Sequence, residues 1–374
     1  MATATAPGPA PAAAPADSML RFASGARLRQ HGQFYNEART FTAATQVFPE
    51  APIPPGDWLT DVLITVNCVT AGNAATVAFA ADAPWSAISE IRFLDPAGNA
   101  IYSLTGYGWF LVNLLGGYAF NTDPTDSPLY ITPVVGAGAT GGSFRFALHV
   151  PVAIIDRDGI GAIPNGQSNA VCRVQITLAA STAVYTTPPT NAGTVTITMH
   201  ESGLVTPSAE SIAGNRYATE PPGAGTLQQW SQIPYDLPNG QGIRRDHPRR
   251  GQVYRTLIVV ARTAAGVRSD TILSRLKFSV DEIFSANGSW LEHRHFTWQR
   301  QNLLLTKLPT GVAQISYAHE WDGKVGGELR DLWVPTQPGT SVYFEVDTTA
   351  AAVLEVLTNE VVPGAKGPES VLRV

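Results

Sequence analysis

His293 and His295 are the residues whose types and spacing best suit a metal, two imidazoles separated by one arginine. On a β-strand that spacing sets both rings on one face. A cupin-type metal site begins this way, but it also needs a glutamate a few residues on. The chain continues FTWQRQ, which contains no carboxylate, and the next histidine is His319 beside Glu320. The pair therefore reads either as a weak metal candidate or as two polar strand residues near a loop or subunit contact. No GxSxG frames a nucleophilic serine, and no GxxxxGK[ST] loop is present. The glycine-rich stretches VGAGATGG and PNGQG are flanked as loops between strands, so neither opens a helix that could hold a phosphate. Asp281 and Glu282 are adjacent, and a strand would point them to opposite faces. The expectation is no enzyme, no metal and no cofactor.

Two other groups could act through charge. The stretch IRRDHPRRGQVYR holds Arg244, Arg245, Arg249, Arg250 and Arg255 with His247. It precedes a strongly patterned strand and reads as a loop. It is either a solvated loop or a salt-bridged subunit contact, since arginine is enriched at interfaces. A nucleic-acid site ranks below both, because only Tyr254 interleaves an aromatic ring. Residues 19–40 carry Arg21, Arg27, Arg29 and Arg39 against one acid, Glu37. Met19, Phe22, Ala23 and Ala26 fall at helical spacing, so this segment reads as a short basic helical arm. It either packs on the body or touches an anionic surface such as lipid headgroups.

The elements that must carry these residues are mostly strands. Period-two patterns mark 60–69, 74–80, 88–94, 143–150, 171–179 and 193–199, then 253–262, 273–284, 294–305, 312–320, 341–347 and 351–358. SFRFALHV is typical, with Phe144, Phe146, Leu148 and Val150 on one face and Arg145 and His149 on the other. VYRTLIVVAR is apolar on both faces, as a sandwich core strand can be. Residues 103–115 read as helical. Cys68 and Cys172 each share an apolar strand face and read as buried thiols.

With 374 residues the prior is two domains. Charged residues make up 15% and the net charge is −5. A phosphate-coating protein with basic excess is excluded, and the sparse charge fits a surface covered by other copies of the same chain. There are 34 glycines and 28 prolines, which fits many short strands joined by turns in two sandwiches, jelly rolls or barrels. The first 18 residues form a Pro/Ala tail without the plan of a secretory signal. No run approaches the ~20 apolar residues of a membrane helix. The expected organisation is a flexible tail and basic arm over 1–40, a first β-unit over 41–205, a linker over 206–225, a second β-unit over 226–360 and a C-terminal tail over 361–374. The halves share no sequence repeat.

Residues 88–113, ISEIRFLDPAGNAIYSLTGYGWFLVN, resemble the first jelly roll of tectivirus-type major capsid proteins. The shared features are a strand, the turn at Phe93, Asp95 and Pro96, then Gly108-Trp109 and a short apolar helix. Residues 139–178 are similar to the next part of that family, with Val150-Pro151 closing a strand. VYRTLIVVA and the run from LPTGVAQISYAHEWDGKV to TSVYFEVDTTAAAVLEVLT are similar to it in order and spacing. The resemblance implies an all-β double jelly roll, two jelly-roll sandwiches in tandem behind a short N-terminal helical arm. It further implies a homotrimer of pseudo-hexagonal outline. Such trimers would tile an icosahedral shell around an internal membrane and double-stranded DNA, in a phage assembled in the host cytoplasm. Partners would be the chain itself, penton and minor capsid proteins, and the membrane surface met by Arg21, Arg27 and Arg29. No sequence-specific nucleic-acid contact is implied. Arg244, Arg245, Arg249 and Arg250 would form a subunit-contact loop. The other readings are a minor capsid or vertex protein of the same fold, and a carbohydrate- or receptor-binding β-sandwich. A sugar binder would expose aromatics such as Trp290, Trp298, Trp321 and Trp333.

Overall fold

The computed structural model describes residues 22, 25–116, 118, 123–154, 159–208, 218–221, 225–301, 307–318 and 333–362. In the first half the elements run β1 (Arg27–Thr40), β2 (Gln46–Val47), β3 (Ala51–Pro52), β4 (Trp58–Val69), β5 (Asn73–Phe79), β6 (Ile88–Leu94) and β7 (Ala100–Leu104). Helix α1 (Gly106–Leu115) follows, then β8 (Gly136–Gly138), β9 (Phe144–Pro151), β10 (Ile163–Pro164), β11 (Arg173–Leu178), β12 (Tyr185–Thr187) and β13 (Thr194–Val205). The second half has β14 (Leu227–Leu237), β15 (Gly240–Asp246), β16 (Val253–Thr263), β17 (Leu273–Val280) and β18 (Ile283–Ser289). Helix α2 (Trp290–Gln301), β19 (Val312–Ser316), β20 (Val334–Pro335), β21 (Val342–Thr348) and β22 (Ala352–Val362) complete it.

The pairings define the same wiring twice. In the first half β1, β13, β4 and β9 form one antiparallel sheet, and β2/β3, β11, β6 and β7 form the other. In the second half the corresponding sheets are β14, β22, β16, β19 and β15, β21, β17, β18. Counting β2/β3 as one strand, and leaving aside β5, β8, β10, β12 and β20, each half has eight strands. Their order is 1-8-3-6 in one sheet and 2-7-4-5 in the other, which is a jelly roll. Each half also places a helix between its fifth and sixth strands.

Alternation builds the cores. Val62, Ile64, Val66 and Cys68 of β4 point inward and are buried, while Leu63, Thr65 and Asn67 between them are half-exposed. β16 is buried on both faces over Val253–Ala261 because it lies between its own core and the first roll. Leu257, Val259 and Ala261 belong to the second core; Ile258 and Val260 join the core centred on the first roll.

The structure changes several expectations. Of the segment read as a helical arm, Arg27–Thr40 is a strand paired along β13, so the first roll begins ahead of residue 41; Phe22 is helical, and residues 19–21 and 23–24 lie outside the described residues. The stretch 294–305, read as a strand, lies largely in α2, where Ser289 and Glu292 form a capping box. The stretch 273–284 is two strands around a tight turn. Asp281 and Glu282 occupy the turn with φ of 49° and 63°, as a two-residue hairpin loop with positive φ at both positions requires. Arg244 and Arg245 stand on β15, so the arginine cluster is only partly a loop.

Candidate assembly surfaces

The basic arm divides on inspection. Arg29 is committed inward: its guanidinium meets Glu201 at 2.7 Å and donates to the Pro55 carbonyl. It also lies over Gly56, where a Cβ would come within 2.1 Å of it. Burial pushes the Glu201 carboxyl upward, and Arg29 opposes that shift. Arg27 is exposed. Arg21 lies outside the described residues.

The second arginine cluster is likewise knitted into the fold. Arg244 stacks 3.7 Å over the Tyr343 ring and pairs with Asp246 and Glu282. Arg245 donates twice to the Asp236 carbonyl, and Arg250 donates to the His247 carbonyl. Arg249 donates to both oxygens of Glu360, at 3.2 and 3.0 Å. His247 is fully buried, with Nδ1 2.7 Å from the Tyr235 hydroxyl. Burial first, then Arg249 and Arg250, push its pKa down to about 4. Arg255 is buried and donates to the Gly116 carbonyl of the first half at 2.9 Å.

That last bond belongs to a seam joining the two rolls. All ten residues of α1 are buried. Gly108 lies so close to the second roll that a Cβ there would meet Gln232 Oε1 at 2.9 Å and Leu357 Cδ2 at 3.3 Å. Gln228 Nε2 donates to the carbonyls of Pro151, Val152 and Ala153. Arg262 and Arg268 clamp Asp82 at 2.7 Å each, Arg262 also holds Glu355, and both guanidiniums lie over Tyr107. A cleft of about 460 Å³ opens beside this clamp, and its two acids, Asp82 and Glu355, are both bound by Arg262. At the other end of the seam Ile154 and Ile160 pack with Val253, Trp333 and Val361. The two rolls therefore lie side by side with like ends together. The end with Arg27, Val205, Leu227 and Val362 is one pole, and the end with Asp82 and Arg262–Arg268 is the other.

The metal candidate does not assemble. His293 and His295 sit two apart on a helix rather than a strand, so they point away from each other. His293 is buried with Nε2 2.9 Å from the Leu276 carbonyl, and His295 is exposed. His319 and Glu320 lie outside the described residues. No group of three or more His, Cys, Asp or Glu residues able to hold a metal occurs among the described residues. Cys68 and Cys172 are buried, and burial pushes both thiols up to about 11, far from a reactive thiolate. Trp290 and Trp333 are core residues; Trp298 is exposed and Trp321 lies outside the described residues. No helix among the described residues is long and apolar enough to cross a membrane. Sequence reasoning missed α2 as a surface: Leu291 is 68% exposed, Phe296 52% and Trp298 37%. A helical reading of WLEHRHFTWQRQ would have set Leu291 and Trp298 on one face.

No family model matches the chain, and no curated protein matches it. Solved structures do. The major capsid protein of Sulfolobus turreted icosahedral virus is similar with a TM-score of 0.61 at 15% identity, over 89% of this chain and 97% of that one. The PBCV-1 virus capsid protein gives 0.59 at 11% identity, over 90% and 93%. The major capsid protein of bacteriophage PM2 gives 0.52 at 10% identity, over 89% and 100%. At these identities the likeness is one of fold. The chain has the double jelly-roll fold of these viral major capsid proteins.

Proposed function

We propose that this chain is a major capsid protein that assembles as homotrimers of pseudo-hexagonal outline. The trimers tile the icosahedral shell of a membrane-containing double-stranded DNA phage, and the chain's place is the virion. One observation carries the reading: two jelly rolls of identical wiring are fused side by side, like ends together, through a buried seam. Three such chains supply six like units, and a head-to-tail contact that repeats this step closes into a ring when each step turns by about a sixth of a revolution. The paired acids and arginines of the seam support a structural rather than a catalytic role. The first roll spans 27–205, a linker 206–226 and the second roll 227–362. Arg27, with Arg21, faces the membrane, each gaining roughly 1 kcal/mol beside anionic lipid, whereas Arg29 is spent on Glu201. Penton and minor capsid proteins complete the shell.

Light scattering of the purified chain tests this. A species near three times 39.8 kDa that persists on dilution is expected, since an obligate interface buries on the order of 2,000–5,000 Å². A monomer at every concentration would sink the capsomer reading.

A further inference from the structure

We propose that the outward face of α2, with Leu291, His295, Phe296 and Trp298, docks on the first jelly roll of a second copy of this chain. It seats there on the outer face of the sheet formed by β1, β13, β4 and β9. The inference rests on the trimer reading and names the surface that makes the trimer.

The template is internal. α1 and α2 occupy the same place in the wiring, and both start at a hydroxyl cap. Thr105 Oγ1 accepts from Gly108 N at 3.0 Å, and Ser289 Oγ accepts from Glu292 N at 3.3 Å. Aligning the caps pairs Asn113 with Thr297. Both side chains bond to the main chain of the sixth strand of their own roll: Asn113 to His149 at 2.7 Å in each direction, Thr297 Oγ1 from Gln314 N at 2.7 Å. The same alignment pairs buried Trp109 with buried His293. The inward faces of the two helices are therefore equivalent.

The outward faces are not in equivalent states. α1 is covered by the first sheet of the second roll, on which Trp230, Ile258, Val260 and Leu357 are buried and join the core around α1. The aligned face of α2 has no such cover from the described residues. Leu291 stands opposite buried Tyr107 in the alignment, Phe296 opposite Val112 and Trp298 opposite Leu114, yet all three are exposed. The His295 ring lies 6.0 Å from Phe296 and 5.5 Å from Trp298, so it bridges the two aromatic side chains. An exposed apolar patch on a helix marks an interaction site.

The chain already carries the matching cover. In the first roll the sheet equivalent to the one over α1 is β1, β13, β4 and β9. Its outer face presents Leu63 with the β-branched Thr65, Thr196 and Thr198, all half-exposed, opposite the buried Val62, Ile64, Ile197 and Val66. Within one chain this surface lies on the roll that does not carry α2. Repeating the step that joins roll one to roll two then joins roll two to roll one of the next copy. That contact is heterologous, and at threefold symmetry it closes into a ring.

The test uses the full-length chain. Leu291→Cys combined with Thr198→Cys, treated with a short bismaleimide, is expected to give covalent dimers and trimers on a denaturing gel. Leu291→Cys combined with Ser274→Cys, on an exposed site of another sheet, is expected to give none. Leu291→Asp/Trp298→Asp is expected to raise the concentration at which the trimer dissociates at least about a hundredfold, with an unchanged circular dichroism spectrum. Should that variant not fold, Leu291→Ala/Trp298→Ala is expected to raise it at least about tenfold. A wild-type trimer with neither cross-link nor sensitivity to either variant overturns this seam and leaves the trimer standing. A monomeric wild type removes both.

Discussion

Glu360 is fully buried in β22, beside Tyr254 of β16, and among the described residues it meets one cation, Arg249, whose side chain is 29% exposed. Burial outweighs that pairing and raises the carboxyl to about 7 from its ordinary 4.5. Between those values the folded chain holds a proton that the unfolded chain has released, so stability falls as pH rises. His247 runs the other way. Its folded value of about 4 lies below the unfolded 6.5, so its contribution rises across that window. Where the windows overlap, from pH 4.5 to 6.5, the two groups cancel. Glu360→Gln removes one side of the balance. The variant's unfolding free energy minus that of the wild type is expected to grow by roughly 3 kcal/mol from pH 4.5 to 7, read by urea denaturation at each pH. A difference that is flat there and changes only below pH 4.5 would mean that Arg249 keeps Glu360 ionised. None of this was legible in the sequence, because the partners lie 111 positions apart. The arginines stood out as a charge run, and a charge run does not say which members are paired internally.

At the scale of elements, legibility followed burial. Strands with one face in a core, such as β4, β6, β9 and β11, announce themselves by period two, and β6 was placed at its observed bounds. β1 was missed because it is a sheet-edge strand whose RLRQHGQFYNEART has no continuous apolar face; its register on β13 shifts twice. β14 escaped for a related reason: its outer face is set by polar Gln228 and Gln232, which bond across the seam rather than alternate with apolar residues. α2 was misread because its buried residues include His293 and Thr297, which satisfy polar bonds and leave no apolar helical stripe. α1 was found, but not the reason for its glycines. An exchange of Gly for Ala inside a helix ordinarily stabilises by about 1 kcal/mol. At Gly106 a Cβ would come 2.3 Å from the Trp85 carbonyl and 2.8 Å from Ile88 Cβ. Main chain cannot yield there as a flexible side chain could. Gly106→Ala is therefore expected to destabilise, by at least about 1 kcal/mol, measured as a lowered denaturation midpoint. A stabilised variant would show that the helix shifts freely against the strand before it, and that α1 is not a fixed wedge in the seam.

Across the whole molecule, like ends lie together, so a double jelly roll has two distinct poles. β1 begins at Arg27 opposite Val205, and β22 ends at Val362 opposite Leu227, so the described chain starts and stops at one pole. The hydrophobic clamp of Ile154, Val253, Trp333 and Val361 lies at that pole too. The opposite pole carries tight turns, among them the Pro238–Asn239 connection of β14 to β15, beyond which Gly242 of β15 holds a φ of 64° with its Cβ position open. A shell built from side-by-side rolls must turn one pole outward. On the proposed membrane contact of the basic segment, the outward pole is the one bearing the turns. An epitope tag inserted between Asn239 and Gly240 is therefore expected to capture intact particles on an antibody surface. The same tag placed before residue 1 is expected to capture only disrupted ones. Capture of intact particles through the N-terminal tag alone would invert the polarity and remove the membrane contact from the basic segment, while leaving the packing of the two rolls untouched.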